Sequence, residues 1–212
     1  RRPINSSRQR KKGAIVDLDA QGGFEQDFTN ENSQLLMSGF MYANFRNKSE
    51  AAVTSVSATG FVVANEALFS AGALILASGF ANPANNGLKQ VTSVDAGTHE
   101  VRAAGLSVQA GPLTGARIVV VGRQFAAGDL DIDASGPLPV LTTAAANFTT
   151  FGLIPGEWIF IGGDAVGSAF TTAANNGPKR IRSIVAGSIT FDKSDLPMVT
   201  EASLSETIRL FF

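Results

Sequence analysis

Residues 80–97 (FANPANNGLKQVTSVDAG) and 170–187 (FTTAANNGPKRIRSIVAG) align without a gap at an offset of ninety and agree at nine of eighteen positions. Phe80 faces Phe170, Ala84-Asn85-Asn86-Gly87 faces Ala174-Asn175-Asn176-Gly177, and Lys89 faces Lys179, while Val91 and Val94 face Ile181 and Ile184. An internal repeat constrains the fold more tightly than any single motif, because each copy is one supersecondary unit with its own turns and core positions. The chain reads as a tandem duplication, which suits a built part better than an enzyme with one unique pocket.

The first copy is assigned to residues 47–128 and the second to residues 129–212. Each opens with a Thr/Ala/Val-rich strand, Val53–Val56 or Leu141–Ala144. A glycine and an apolar strand follow, Gly72–Leu76 or Gly156–Ile161, the second copy carrying extra residues around Gly162-Gly163-Asp164. Next comes the Asn-Asn-Gly segment. Asn86-Gly87 and Asn176-Gly177 favour positive φ at successive positions and predict a tight turn between twisted strands. Strands of period near 2 are expected over 89–94 and 179–184, then 99–102 and 189–192, and finally 116–121 and 207–212. About five short strands per copy, separated by Gly turns, give the fold class: all-β, with tandem-duplicated small antiparallel β-barrel or sandwich units.

Ahead of the repeats, residues 1–28 read as an extended basic arm followed by an edge strand, in which Val16 and Leu18 alternate with Asp17 and Asp19 before Gly22-Gly23. Residues 29–46 carry the one helix candidate. Leu36 and Phe40 form one apolar row and Met37, Met41 and Phe45 another, with Asn30 or Asn32 as N-cap. Gly39 costs this helix about 1 kcal/mol of propensity. The stripe is expected to pack as core against a sheet.

The chain has no Cys, so disulfides and thiolate metal sites are excluded. It has no run of about 18 apolar residues, which argues against a spanning helix and a membrane partner. It lacks an initiator Met and a signal-peptide pattern and stops on Leu210-Phe211-Phe212, so a continuing polypeptide is expected. Net charge of −1 conceals an asymmetry, since Arg1, Arg2, Arg8, Arg10, Lys11 and Lys12 supply six of the 17 basic residues. The other 200 positions hold 11 basic and 18 acidic residues, a net of −7. Such an arm can contact nucleic acid, dock on an acidic neighbour or remain a solvated tail. No aromatic residue interleaves its charges, as a base-stacking groove requires.

The chemistry of catalysis is missing. The single histidine, His99, is placed in a strand beside Glu100, and adjacent strand residues point to opposite faces, so the two do not form a dyad. Asp129, Asp131 and Asp133 give D-x-D-x-D, half of a calcium loop, but Ala134 replaces the glycine the loop requires, and Leu130 and Ile132 alternate as in a strand. A strand with one acidic face is the preferred account. Gly22-Gly23 and Gly162-Gly163 lack the pattern of a phosphate-cradling loop. The expectation is a non-enzymatic chain without cofactor or metal.

Gly156–Gly163, Phe170 through Asn175-Asn176-Gly177, Lys179–Ile184 and Phe191–Ser194 resemble a family of tail tube proteins of long-tailed, non-contractile bacteriophages. The opening is similar too, with a basic arm, then Gly22–Phe28, then Leu35–Met41. The resemblance covers most of the chain and rests on glycine and turn patterns. It implies a virion structural protein, assembled in the host bacterial cytoplasm, whose hexameric rings stack into a tail tube. Its partners would be further copies of itself, tape-measure, tail-tip and terminator proteins, and DNA as non-specific passing cargo.

That reading carries physical expectations. Stacked rings need strand edges that pair between subunits, which monomeric proteins normally avoid, and 118–121 and 208–212 are the candidates. A conduit should repel phosphate, so Asp17, Asp19, Asp129, Asp131 and Asp133 are candidate lumen residues. The basic arm (Arg1, Arg2, Arg8, Arg10, Lys11, Lys12) would reach an adjacent ring. Two other readings stand beside it. One is a capsid decoration or head–tail connector component. The other is a monomeric β-domain adhesin or carbohydrate-binding module, which would need exposed Trp and Tyr. Trp158 is expected in the core and Tyr42 on the helix, a poor sugar platform.

Overall fold

The structure, a computed structural model, describes residues 29–41, 47–192 and 197–212. Among the described residues, period-2 runs of Val, Ile and Phe broken by glycines become thirteen strands joined in one antiparallel network. In the first unit these are β1 (Glu50–Val56), β2 (Gly60–Val63), β3 (Ala73–Ser78), β4 (Gly87–Asp95), β5 (Glu100–Ala103) and β6 (Arg117–Gln124). Their order is β1-β2-β5-β4-β3-β6, and β6 pairs back onto β1, so the six strands close a barrel. Its interior holds Val53, Phe61, Ile75, Val91, Val101 and Ile118, each at most 1% exposed.

The second unit uses β7 (Asp131–Asp133), β8 (Val140–Thr142), β9 (Trp158–Ile161), β10 (Gly177–Val185), β11 (Ser188–Phe191), β12 (Glu201–Ala202) and β13 (Arg209–Phe211). Ile159, Ile181, Ile189 and Leu210 fill positions equivalent to Ile75, Val91, Val101 and Ile118 in a separate core. The units share even their irregularities: a bulge between Val91 and Ser93 recurs between Ile181 and Ser183. The opening strands correspond differently from the sequence reading. The equivalent of β1 includes β7, and Leu141 belongs to β8, which matches β2.

The two units meet inside one strand. In the first barrel Glu50, Ala51 and Ala52 pair with Val119, Ile118 and Arg117. In the second, Gly122, Arg123 and Gln124 pair with Phe211, Leu210 and Arg209 in the same relation. The next bond repeats as well, Val53 N–H to Ala116 O at 3.0 Å and Phe125 N–H to Ile208 O at 2.9 Å. Thus the first half of β6 completes one barrel and its second half begins the next. The join lies within β6, ahead of the boundary at residue 128 drawn from the sequence. Gly122 is required there, because an added Cβ would stand 2.2 Å from Leu210 O.

This arrangement overturns the expectation that 118–121 and 208–212 offer free edges. β6 has β3 on one side and β1 and β13 on the other, and β13 lies between β6 and β9. Barrel closure consumes both edges, because each last strand must pair with a first strand to satisfy its backbone groups.

The helix candidate forms as α1 (Asn30–Met41), and residues 42–46 of the expected helix lie outside the described residues. Its stripe is not core. Leu36, Met37 and Phe40 are 37%, 47% and 67% exposed.

Candidate assembly surfaces

The Asn-Asn-Gly motif is built twice to one plan. Asn85 and Asn175 are wholly buried. Asn85 Nδ2 donates to Ser107 O and its Oδ1 accepts from Ser107 N–H, both at 2.9 Å. Asn175 makes the same pair of bonds with Val199, at 2.9 and 2.8 Å. The second asparagine turns back to the aromatic that begins the motif. Phe80 N–H donates to Asn86 Oδ1 at 3.1 Å and Asn86 Nδ2 donates to Phe80 O at 2.8 Å. Phe170 and Asn176 repeat this at 2.9 and 2.8 Å. Each amide substitutes for a peptide group in a loop too irregular to pair with itself.

The Asn-Gly pair therefore does not form the expected tight hairpin turn. A short 3-10 turn, Pro83–Asn85 or Ala173–Asn175, precedes it. Only the glycine takes positive φ, 93° at Gly87 and 87° at Gly177. Asn86 and Asn176 stay near φ −90° and −94°, extended by the bonds their side chains make to the phenylalanine.

Beside each buried asparagine lies a second acceptor, Gln109 in the first unit and Glu201 in the second. Gln109 Oε1 is 3.3 Å from Asn85 Nδ2, and Glu201 Oε2 is 2.7 Å from Asn175 Nδ2 and also accepts from Thr172 N–H. Burial pushes the Glu201 carboxyl upward, but the bonds from Thr172, Asn175 and Thr171 outweigh it and hold the group below the ordinary glutamate value. Lys179 is buried and donates to Ala174 O at 2.8 Å, and burial lowers its affinity for the proton.

Register places one apolar set on the outer face of the sheet. In the first unit Leu76 pairs with Leu88 and Val119; in the second Phe160 pairs with Pro178 and Phe211. Leu76, Leu88 and Phe160 are 46%, 41% and 45% exposed, and Trp158 is 55% exposed on the same face. The expectation of a core Trp158 is corrected. Alternation along β9 sends Ile159 and Ile161 inward and Trp158 and Phe160 outward.

His99 lies not in a strand but in the turn before β5, at φ 54°. Its Nδ1 is 2.7 Å from Glu66 Oε2, and that bond holds the Glu66 carboxyl below its ordinary value. Glu100 is buried instead under Ser57, Thr59 and Arg102, with the Ser57 bond foremost in lowering its proton affinity.

Asp131 and Asp133 share the outer side of β7 while Ile132 is buried, and Asp129 stands in the preceding turn. Each works locally as an acceptor: Asp129 from Ala126 N–H, Asp131 from Ser203 N–H, Asp133 from Ser135. Asp17, Asp19 and the basic residues Arg1, Arg2, Arg8, Arg10, Lys11 and Lys12 lie outside the described residues. Among the described residues no group of three His, Cys, Asp or Glu is placed to hold a metal, and no helix is long and apolar enough to cross a membrane. Against family models, curated proteins and solved structures, the chain finds no match.

Proposed function

We propose that this chain is a self-assembling structural subunit, the tail tube protein of a long-tailed, non-contractile phage, whose rings stack into a conduit for DNA. The observation that carries self-assembly is the repeated outer face: Leu76, Leu88 and Val119 in one unit and Phe160, Pro178 and Phe211 in the other are apolar at equivalent positions. Apolar side chains left exposed on a sheet face are the kind of surface that marks protein contacts. The resemblance of the Gly156–Gly163, Asn-Asn-Gly and Phe191–Ser194 segments to tail tube proteins supplies the kind of assembly.

Because β6 and β13 are paired within the chain, subunits would meet through this face rather than through those edges. A head-to-tail contact of that kind closes into a ring when its rotation permits. Negative-stain electron microscopy over a concentration series tests the reading, with hollow tubes or stacked rings as the expected result.

The exposure of Trp158 beside Phe160 favours one second reading, a carbohydrate-binding β-module, since sugar platforms present exposed aromatic faces. Discrete monomers at every concentration, together with glycan binding that is lost in Trp158→Ala, would replace the first reading by the second.

A further inference from the structure

We infer that the cleft where the two barrels join is a binding site for one small oxyanion, a carboxylate or an inorganic phosphate or sulfate, held by Arg123. The cavity measures about 70 Å³ and takes walls from both units, with Ser49 and Ser70 on one side and Thr150, Phe151 and Phe212 on the other. A water needs roughly 10–15 Å³ measured this way, so the cleft has room for an anion of four or five heavy atoms. Three hydroxyls line it, those of Ser49, Ser70 and Thr150.

Arg123 is posed for such a ligand. Its guanidinium lies 5.3 Å from the ring centre of Phe151 and 5.7 Å from that of Phe125. Aromatic faces hold the plane and leave the hydrogen-bonding edges to find acceptors. Nη1 donates to Ser70 Oγ at 3.4 Å, and Nε is buried without a hydrogen-bond partner. Among the described residues Arg123 makes no ion pair within 4 Å, and the charge of Asp129 acts on it from further away. An oxyanion bound through the Nη groups would supply charge-assisted bonds to the guanidinium. Ala51, at the equivalent place in the first barrel, has no such capacity, so the site arises once per chain, from the sharing of β6.

Calorimetry and thermal unfolding of the whole chain with phosphate, sulfate and acetate, against chloride at matched ionic strength, test the assignment. The expected result is saturable heat and a rise in unfolding temperature with anion concentration, both lost in Arg123→Gln. Should that variant fail to fold, Ser70→Ala with Thr150→Val is expected to weaken anion affinity severalfold without loss of fold. An affinity independent of protein concentration identifies a free anion. Anions that dissolve self-association identify a carboxylate of a second copy as the occupant. Absence of saturable binding in the parent chain, or undiminished binding in both variants, would overturn the inference.

Discussion

The amide of Asn85 meets the backbone of Ser107 as one strand meets another, donating to its carbonyl and accepting from its N–H at 2.9 Å each. Removing the amide leaves both backbone groups of Ser107, a half-buried residue, without that partner. Each unsatisfied backbone group costs about 1–3 kcal/mol. Asn85→Ala and Asn175→Ala should therefore each destabilise the fold by about 2–4 kcal/mol in urea unfolding, and a loss under 1 kcal/mol, roughly the worth of a surface contact, would contradict the strut role.

Gly122 sits where the strand changes owner. Alanine there places its Cβ against Leu210 O and Phe211 Cα, and both are backbone atoms that cannot rotate away. Overpacking of this kind costs about 1–3 kcal/mol. Amide exchange in Gly122→Ala should quicken at Arg209–Phe211 before it quickens in β2 and β5, because those three residues lose the partner that closes the second barrel.

Glu201 gives the second asparagine motif an acid dependence that Gln109, at the matching place, does not give the first. Its folded-state proton affinity is lowered from an ordinary value of 4.5. The stabilisation is complete above that value and is lost as pH falls through the lowered one. Glu201→Gln should lower stability near neutral pH and flatten the acid limb, the two profiles converging as pH falls through the lowered value. An acid limb identical to that of the parent chain would show that the carboxylate is not held as described.

Trp158 and Phe160 are exposed on the outer face, so a charge there should spare the fold and stop assembly. Trp158→Glu and Phe160→Glu are expected to shift stability by only about 0.5 kcal/mol yet abolish rings in micrographs and lower the sedimenting mass. Normal tubes from the double variant would remove this face from the contact.

Deleting residues 1–12 removes Arg1, Arg2, Arg8, Arg10, Lys11 and Lys12 while leaving both barrels whole. If the arm docks on acidic surface of the next ring, the truncation should impair stacking but not ring formation, and high salt should mimic it in the parent chain. Tubes of ordinary length from the truncated chain would end the idea.

Leu76 and Trp158 show how far the sequence reached and where it stopped. The duplication, the period-2 strands and the glycine-marked turns follow from local pattern, because a strand's two faces and a glycine's positive φ are properties of a few consecutive residues. Which of the two faces turns inward is not local. In β9 both faces are apolar, and only closure around Ile159 and Ile161 sends Trp158 and Phe160 to solvent. The partners of Asn85 and Asn175 lie 22 and 24 residues further along the chain, so repetition announced the motif without revealing its bonds. The stacked-ring reading likewise made 118–121 and 208–212 candidate edges. The tertiary structure decided otherwise, because backbone groups within a closed barrel must pair, and pairing makes β6 common to both units.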